Sequence, residues 1–592
     1  GALNGTYIDI DNVVFNIPVE SSDDVISGLI YGNSPSSYHS YILSAVDRRK
    51  WSSEADYVSY PNSTGIIRLM ALDAVNPDYW LESSRDIGSF YETKDILDLY
   101  SDITTGNISI GLHTLTSDLS QPMGMVDPND GTGRLFVYEQ TGKIKVLNSN
   151  LIVEVDAFLD ISNQLYLDDS NGVINFWEEY GLLGVALAPD FSVSGRLYFC
   201  ASFDPDQQAD FVLPDNPIIL HHSVIIERIY SDSNLNGYFD KDDGYTEREI
   251  LRVEQPAGEG SFATRSNHNS GRLEFDQNGY LLISFGDGGN SADVGNGHST
   301  IGNGQDASNI HGSIIRIDPL GNNSENGKYG IPVDNPFINE TDKLNEIYAY
   351  GFRNPWTISV DVLTGDIYSP DSGELSIQEL NLIHAGGNYG WRAKEGSYLF
   401  DPVSKRPSTL TDQNNIPGLI NPIAEYDQNG EFSNIIGGFV YRGDMIPELK
   451  GKYICGDYGS WNSPGNLIYL DDSGETNQFK KLKIGFSNRG LANNVRVFAQ
   501  DAMGEIYFVG LDSSNPSTGI LFKIVPLVGA DLNFNENEVN VYAVGDEDSS
   551  LSLTYGQTLE LFDSLSAVNF SMSTNISYQV ISNGFFKVQI IQ

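Results

Sequence analysis

Apolar and polar residues alternate with a period of two along residues 1–115, in TYIDIDNVVFNI, STGIIRLMAL and GNISIGLHTL, which is the pattern of strands with one wetted face. It predicts a β-rich amino-terminal domain. From 116 to 526 the pattern changes to short apolar runs joined by Gly- and Asp-bearing turns, as in GRLFVYEQTGKIKVL, GRLEFDQNGYLLISFGDGG, GDIYSPDSG and GEIYFVGLD. Each reads as a hairpin, and almost no stretch carries the 3.6-residue period of a helix. Hairpins repeated over roughly 410 residues suit a β-propeller better than a sandwich, because radial blades protect their sheet edges; six blades of about 68 residues would fit. Residues 527–592 (VNVYAVG, LSLTYGQTLELF, SYQVIS, FFKVQII) predict a small third β domain whose last apolar strand must pair with something.

Composition narrows the class. Asp and Glu number 80 against 34 Lys and Arg in 592 residues, a net charge of −46, which repels phosphate backbones and anionic head groups. Nucleic acid is therefore disfavoured as a partner. Aromatic residues at 11% supply enough area to offset chain entropy, so the chain should fold. Fifty-nine glycines agree with many turns. No run approaches the ~18 apolar residues of a membrane helix. The chain opens on Gly-Ala-Leu-Asn without Met or a signal-type leader, which predicts a processed or trimmed chain and points to secretion or the periplasm. Two cysteines, Cys200 and Cys455, exclude a disulfide scaffold and a cysteine-ligated zinc; they read as buried thiols in separate strands, with one long-range disulfide as the alternative.

One motif has metal-ligand spacing. In DSNLNGYFDKDD, Asp232, Asn234, Asn236, Tyr238, Asp240 and Asp243 occupy positions 1, 3, 5, 7, 9 and 12 of an EF-hand-type loop, with Gly237 at the sharp turn. Calcium takes six to eight oxygens, and this spacing wraps side-chain oxygens, plus the position-7 carbonyl, around one point. Asp243 stands where a bidentate Glu is usual. The alternative is an acidic, Asx-rich surface turn. The pair His221-His222 resembles a metal clamp, but neighbours on a strand point to opposite faces, so a surface or turn role is expected.

A second constellation runs through GLLGVALAPDF, NHNSGRLEF, FGDGGNS, QDASNIHGSIIRIDP, YAYGFRNPW, DSGELSIQELNLIHAGGNYGW and GGFVYRG. Its order and wording resemble the soluble quinoprotein glucose dehydrogenases with the related aldose and sorbosone dehydrogenases and their non-enzymatic animal relatives. The resemblance implies a six-bladed propeller that binds pyrroloquinoline quinone (PQQ) and calcium on one face. It implies His268 as the general base on a sugar's anomeric hydroxyl, Asp287 as its orienting carboxylate, and Arg353 and Asn354 as stabilisers of charge on the quinone oxygen. A histidine suits proton abstraction because its ordinary pKa lies near neutrality. Backbone carbonyls at Gly373 and Glu374 would hold the calcium. Arg442, in VYRG, would neutralise a cofactor carboxylate, with Arg489 and Arg496 as candidates for a further cationic pair. Glu179 stands where the family has glutamine and puts an extra negative charge near the sugar or metal.

Two functions follow. One is an extracellular or periplasmic PQQ- and calcium-dependent sugar dehydrogenase. The other is a non-catalytic, calcium-stabilised propeller that binds a glycan or serves as a subunit of a filament or surface assembly, self-associating through its terminal β domains. The retained His-Asp-Arg-Asn set favours the first; the flanking domains and apolar last strand favour the second.

Overall fold

The computed structural model describes residues 103–166, 178–214, 217–259, 266–403, 405–411, 418–428, 432–459, 463–474, 477–485, 491, 493–512 and 515–527. It also describes the backbones of strands between 9 and 73 and between 529 and 590. The chain divides into two units. One comprises 1–101 and 393–417. Its described strands form an antiparallel meander, Asp9–Ile10, Val13–Asn16, Leu29–Gly32, His39–Ile42 and Leu72–Asp73, and a separate three-stranded sheet within 394–411.

The second unit, 102–392 with 418–592, contains six four-stranded antiparallel sheets arranged as the blades of a propeller. Their innermost strands are Pro122–Val126, Leu182–Leu187, Leu273–Phe275, Ser359–Val360, Ile435–Val440 and Asn494–Gln500. Strand Thr105–Ser120, which runs across the expected 115/116 boundary, is the outermost strand of blade six, pairing antiparallel with Asn515–Pro526. The ring is thus closed by the beginning of the propeller sequence clasping its end. That strand also pairs in parallel with Gln478–Ile484 of blade five, which joins two blades into one eight-stranded sheet.

Six apolar clusters fill the six gaps between adjacent blades. Phe136, Leu182 and Phe199 pack between blades one and two. Met125 and Val137 of blade one meet Val497 and Val509 of blade six, so the last gap is sealed like the others. The alternation seen in the sequence is interrupted because inner strands are buried on both faces, as in LLGVAL. Cys200 and Cys455 are free thiols buried in blades two and five. His221 and His222 are also buried, at 0% and 3% exposure, which corrects the expected surface role: their strand lies inside blade two, so both faces are covered.

Strands Gly529–Asn535, Glu538–Val544, Ile576–Ile581 and Phe585–Ile590 form a further sheet. The apolar last strand lies between two others of that sheet, pairing with Glu538–Val544 on one side and Ile576–Ile581 on the other. Its partner is the chain itself.

Candidate functional site

The six inner strands run the same way about the axis, so residues preceding them gather at one mouth and residues following them at the other. Glu179 precedes the inner strand of blade two, His268 that of blade three, and Arg353 and Asn354 that of blade four. The second strands of blades three and four return to the same mouth and end just before Asp287 and Glu374. Five separate stretches of the chain therefore meet. Below them Arg272 of blade three approaches the Met123 carbonyl of blade one and the Phe498 carbonyl of blade six, each at 3.5 Å, and also donates to the Tyr138 hydroxyl. Contacts across three blades place this guanidinium on the axis, beneath the mouth.

His268 Nδ1 lies 2.6 Å from Asp287 Oδ1. That oxygen also accepts from the Gly289 N–H at 2.9 Å, and Oδ2 accepts from Trp391 Nε1 at 2.8 Å. His268 and Asp287 are 4% and 0% exposed. His268 Nε2 has no hydrogen-bond partner among the described residues and is the ring nitrogen left for a ligand. The loop is held in an uncommon conformation, with φ of 56° at His268 and 49° at Ser270, a cost that ordinary packing does not require. Gly286 permits it, because a Cβ there would come 2.2 Å from the His268 carbonyl oxygen.

Burial opposes charge on both partners. It lowers His268 to about 3, helped by Arg353 and opposed by Glu179 and Glu374. It raises Asp287 to about 8, against Arg353 and the two N–H donors. At neutral pH the pair shares two protons and carries no net charge. Losing one as the pH rises leaves a carboxylate on Nδ1–H and a bare lone pair on Nε2.

Arg353 is committed to its own blade. Nε and Nη2 each donate to Glu374 Oε2 at 3.1 Å, and Nη1 donates to the Ser372 carbonyl at 3.1 Å. Ser291 holds the other Glu374 oxygen. The backbone N–H groups of Arg353 and Asn354 are fixed by Asp371, each at 2.7 Å. Asn354 Nδ2 reaches both Glu179 oxygens at 3.3 Å, and its Oδ1 accepts from Ser270 at 2.9 Å. Glu179 also accepts from the Asn269 N–H at 3.2 Å. Buried behind it, His221 Nε2 lies 3.1 Å from Ser266 Oγ, which bonds Asn269 in turn. Asp371, Ser291 and this His221–Ser266–Asn269 chain were missed as site residues, although Asp371 lies two residues before Gly373, Ser291 ends FGDGGNS and Asn269 follows His268.

Arg496 reaches the mouth wall, with its guanidinium 5.8 Å from the Trp356 ring and 3.4 Å from Met123 Sδ. Burial lowers its pKa, opposed by Tyr458 and Glu179. Arg442 does not come to this mouth. It follows the inner strand of blade five and bonds Asp361 through Nε at 2.8 Å and through Nη2. Asp361 lies in the turn before strand Ile367–Ser372, whose six residues rise about 20 Å to the mouth. Motif position along the chain does not report which end of a blade a residue occupies. Arg489 lies outside the described residues.

The DSNLNGYFDKDD segment forms the tip of the hairpin between strands Ile219–Ser231 and Gly244–Pro256. Its oxygens face inward onto its own backbone and amides. Asp232 accepts from the Asn236 and Gly237 N–H groups, Asp240 from the Asn234 and Asn236 side-chain amides, and Asp243 from Ser233 and the Asp240 N–H. The Tyr238 N–H donates to Asn236 Oδ1. Among the described residues no three His, Cys, Asp or Glu side chains are grouped to hold a metal.

The profile of the family described as "Glucose / Sorbosone dehydrogenase" matches residues 119–515, which hold the blade strands other than Thr105–Ser120 and Asn515–Pro526. The chain belongs to the glucose/sorbosone dehydrogenase family. Human Hedgehog-interacting protein is 27% identical over 423 residues, covering 70% of this chain and 52% of that protein. The HIPL1 protein of Arabidopsis thaliana is 29% identical over 385 residues, covering 57% and 51%. Aldose sugar dehydrogenase YliI of Escherichia coli is 28% identical over 288 residues, covering 48% and 55%. The chain thus spans about half the length of each. The structure of the soluble aldose sugar dehydrogenase from Escherichia coli in the apo-form matches with a TM-score of 0.50 at 21% identity, over 71% of this chain and 100% of that one, which shows the propeller fold. Among the described residues no helix is long and apolar enough to cross a membrane.

PQQ, the cofactor of quinoprotein relatives, carries three carboxylates. At and beneath this mouth the described cations are each already engaged: Arg353 with Glu374, Arg496 near Glu179, Arg392 on the Ala292, Asp293 and Thr300 carbonyls, and Arg272 on the Tyr138 hydroxyl. Arg442 is at the other end. With Glu179 and Glu374 both facing inward, the described donor set does not fit a trianion, whose unbalanced charge in such a site costs several kcal/mol.

Proposed function

We propose that this glucose/sorbosone dehydrogenase-family propeller binds a sugar at the His268 mouth without using the family's anionic cofactor. What supports the reading is the pairing of an intact His268–Asp287 dyad, open at Nε2, with an Arg353 guanidinium turned onto Glu374. Nε2, the Glu179 and Asn354 side chains and the Trp391 ring offer a sugar hydroxyl-binding groups and an apolar wall. The test is calorimetric titration with an aldose panel, alongside PQQ titration in calcium-containing buffer and dye reduction. Saturable sugar binding that weakens in His268→Ala, with no PQQ-dependent dye reduction, is expected. No sugar binding by any aldose would overturn it.

A second reading, a PQQ- and calcium-dependent dehydrogenase oxidising an aldose at its anomeric carbon, is favoured by one observation: the base and its carboxylate are set at 2.6 Å on a strained loop, as proton abstraction requires. Dye reduction that depends on both PQQ and calcium selects it. In either case we assign calcium to the Asp232–Asp243 loop as a structural ion on the strength of its spacing, and an extracellular or periplasmic location. Self-association as part of a surface assembly has less support now that the last strand is paired within its own sheet.

A further inference from the structure

We infer that Glu374 is the residue that decides which charge this mouth accepts, and that its carboxylate closes the site to planar aromatic polycarboxylates by occupying Arg353. The inference rests on the reading above, that the wild-type mouth takes no trianion.

Two of the three guanidinium nitrogens of Arg353 converge on one Glu374 oxygen, and the third is spent on the Ser372 carbonyl. Ser291 fixes the second carboxylate oxygen. The side chains of Arg353 and Glu374 are 13% and 5% exposed, so water screens the pair poorly. Burial raises the Glu374 pKa, but Arg353, Ser291 and the Ala292 N–H more than offset it, and the group stays ionised. An incoming carboxylate would have to displace Glu374 from its only charged partner among the described residues while entering its field. With the charge of Glu374 removed, the same guanidinium faces the mouth beside the Trp391 ring, 5.7 Å from Arg353 Cζ, where a flat anion can stack and bond at once.

The experiment is PQQ titration of the full chain, followed by quenching of tryptophan fluorescence and by calorimetry, for wild type, Glu374→Gln and the double variant Glu374→Gln/Arg353→Ala. Glu374→Gln should bind at least about tenfold more tightly than wild type, and the double variant should lose that gain. Unchanged affinity in Glu374→Gln, or a gain that persists without Arg353, overturns the inference. Tight binding by the wild type instead overturns the underlying reading, a separate outcome. Should Glu374→Gln fail to fold, Glu374→Ala removes the same charge and should give a gain that also vanishes with Arg353→Ala; no gain there counts against the inference.

Discussion

Replacing Asp287 by asparagine separates the proton chemistry of the mouth from its shape. In the native site one oxygen faces His268 Nδ1 and the Gly289 N–H, and the other accepts from Trp391. An amide that keeps the Trp391 bond turns its NH2 toward His268 Nδ1, which fixes the proton on Nε2 at every pH. A sugar hydroxyl then loses a charge-assisted acceptor, about 1.5–3 kcal/mol or roughly 10- to 100-fold in affinity. The loss is confined to pH above about 8, where wild-type Asp287 gives up its proton; below that the two proteins should bind alike. Stability moves in the opposite sense. Because the folded pKa of Asp287 lies above its ordinary 3.8, its contribution is complete below 3.8 and declines as the pH rises to about 8. His268, lowered to about 3, contributes no slope above 6.5. As the pH rises toward 8, wild type should therefore lose stability relative to Asp287→Asn. Calorimetric sugar titrations and urea unfolding across pH 6–9 measure both. Equal pH profiles for the two proteins would refute the proton assignment.

Other expectations are simpler. Arg442→Ala should leave sugar binding unchanged but destabilise by about 1–3 kcal/mol in urea, because the Asp361 side chain, 2% exposed, loses its cation; a change in sugar affinity contradicts its location at the far mouth. If the Asp232–Asp243 loop holds calcium, ion at 100 times its Kd adds about 2.7 kcal/mol, seen as a rise in Tm that chelator reverses and Asp240→Asn abolishes. An unchanged Tm leaves the segment an Asx-rich turn. Both thiols should resist a thiol reagent in the native protein and react in denaturant, since Cys200 and Cys455 are fully buried and burial pushes Cys200 up to about 12.

Much of the architecture was readable from local pattern. Period-two alternation broken by Gly and Asp turns specifies hairpins, because side-chain direction alternates with each residue and only a few residue types reverse the chain cheaply. The family resemblance carried by the motif order from GLLGVALAPDF to GGFVYRG implied six blades, and through NHNSGRL and FGDGG it implied the His268–Asp287 pair. What pattern could not supply was position around the ring. Arg442 sits in a motif as distinct as that of Arg353, yet it follows its inner strand where Arg353 precedes one, so some 20 Å of strand separates them. Nor could a linear reading see that Glu374, expected to offer a carbonyl, turns its side chain onto Arg353, or that His221 is enclosed on both faces. Strand propensity and turn chemistry act over a few residues and are written locally. The charge balance of the mouth is a sum over side chains from blades two, three, four and six, and it exists only once ring closure brings them within Coulombic reach of one another.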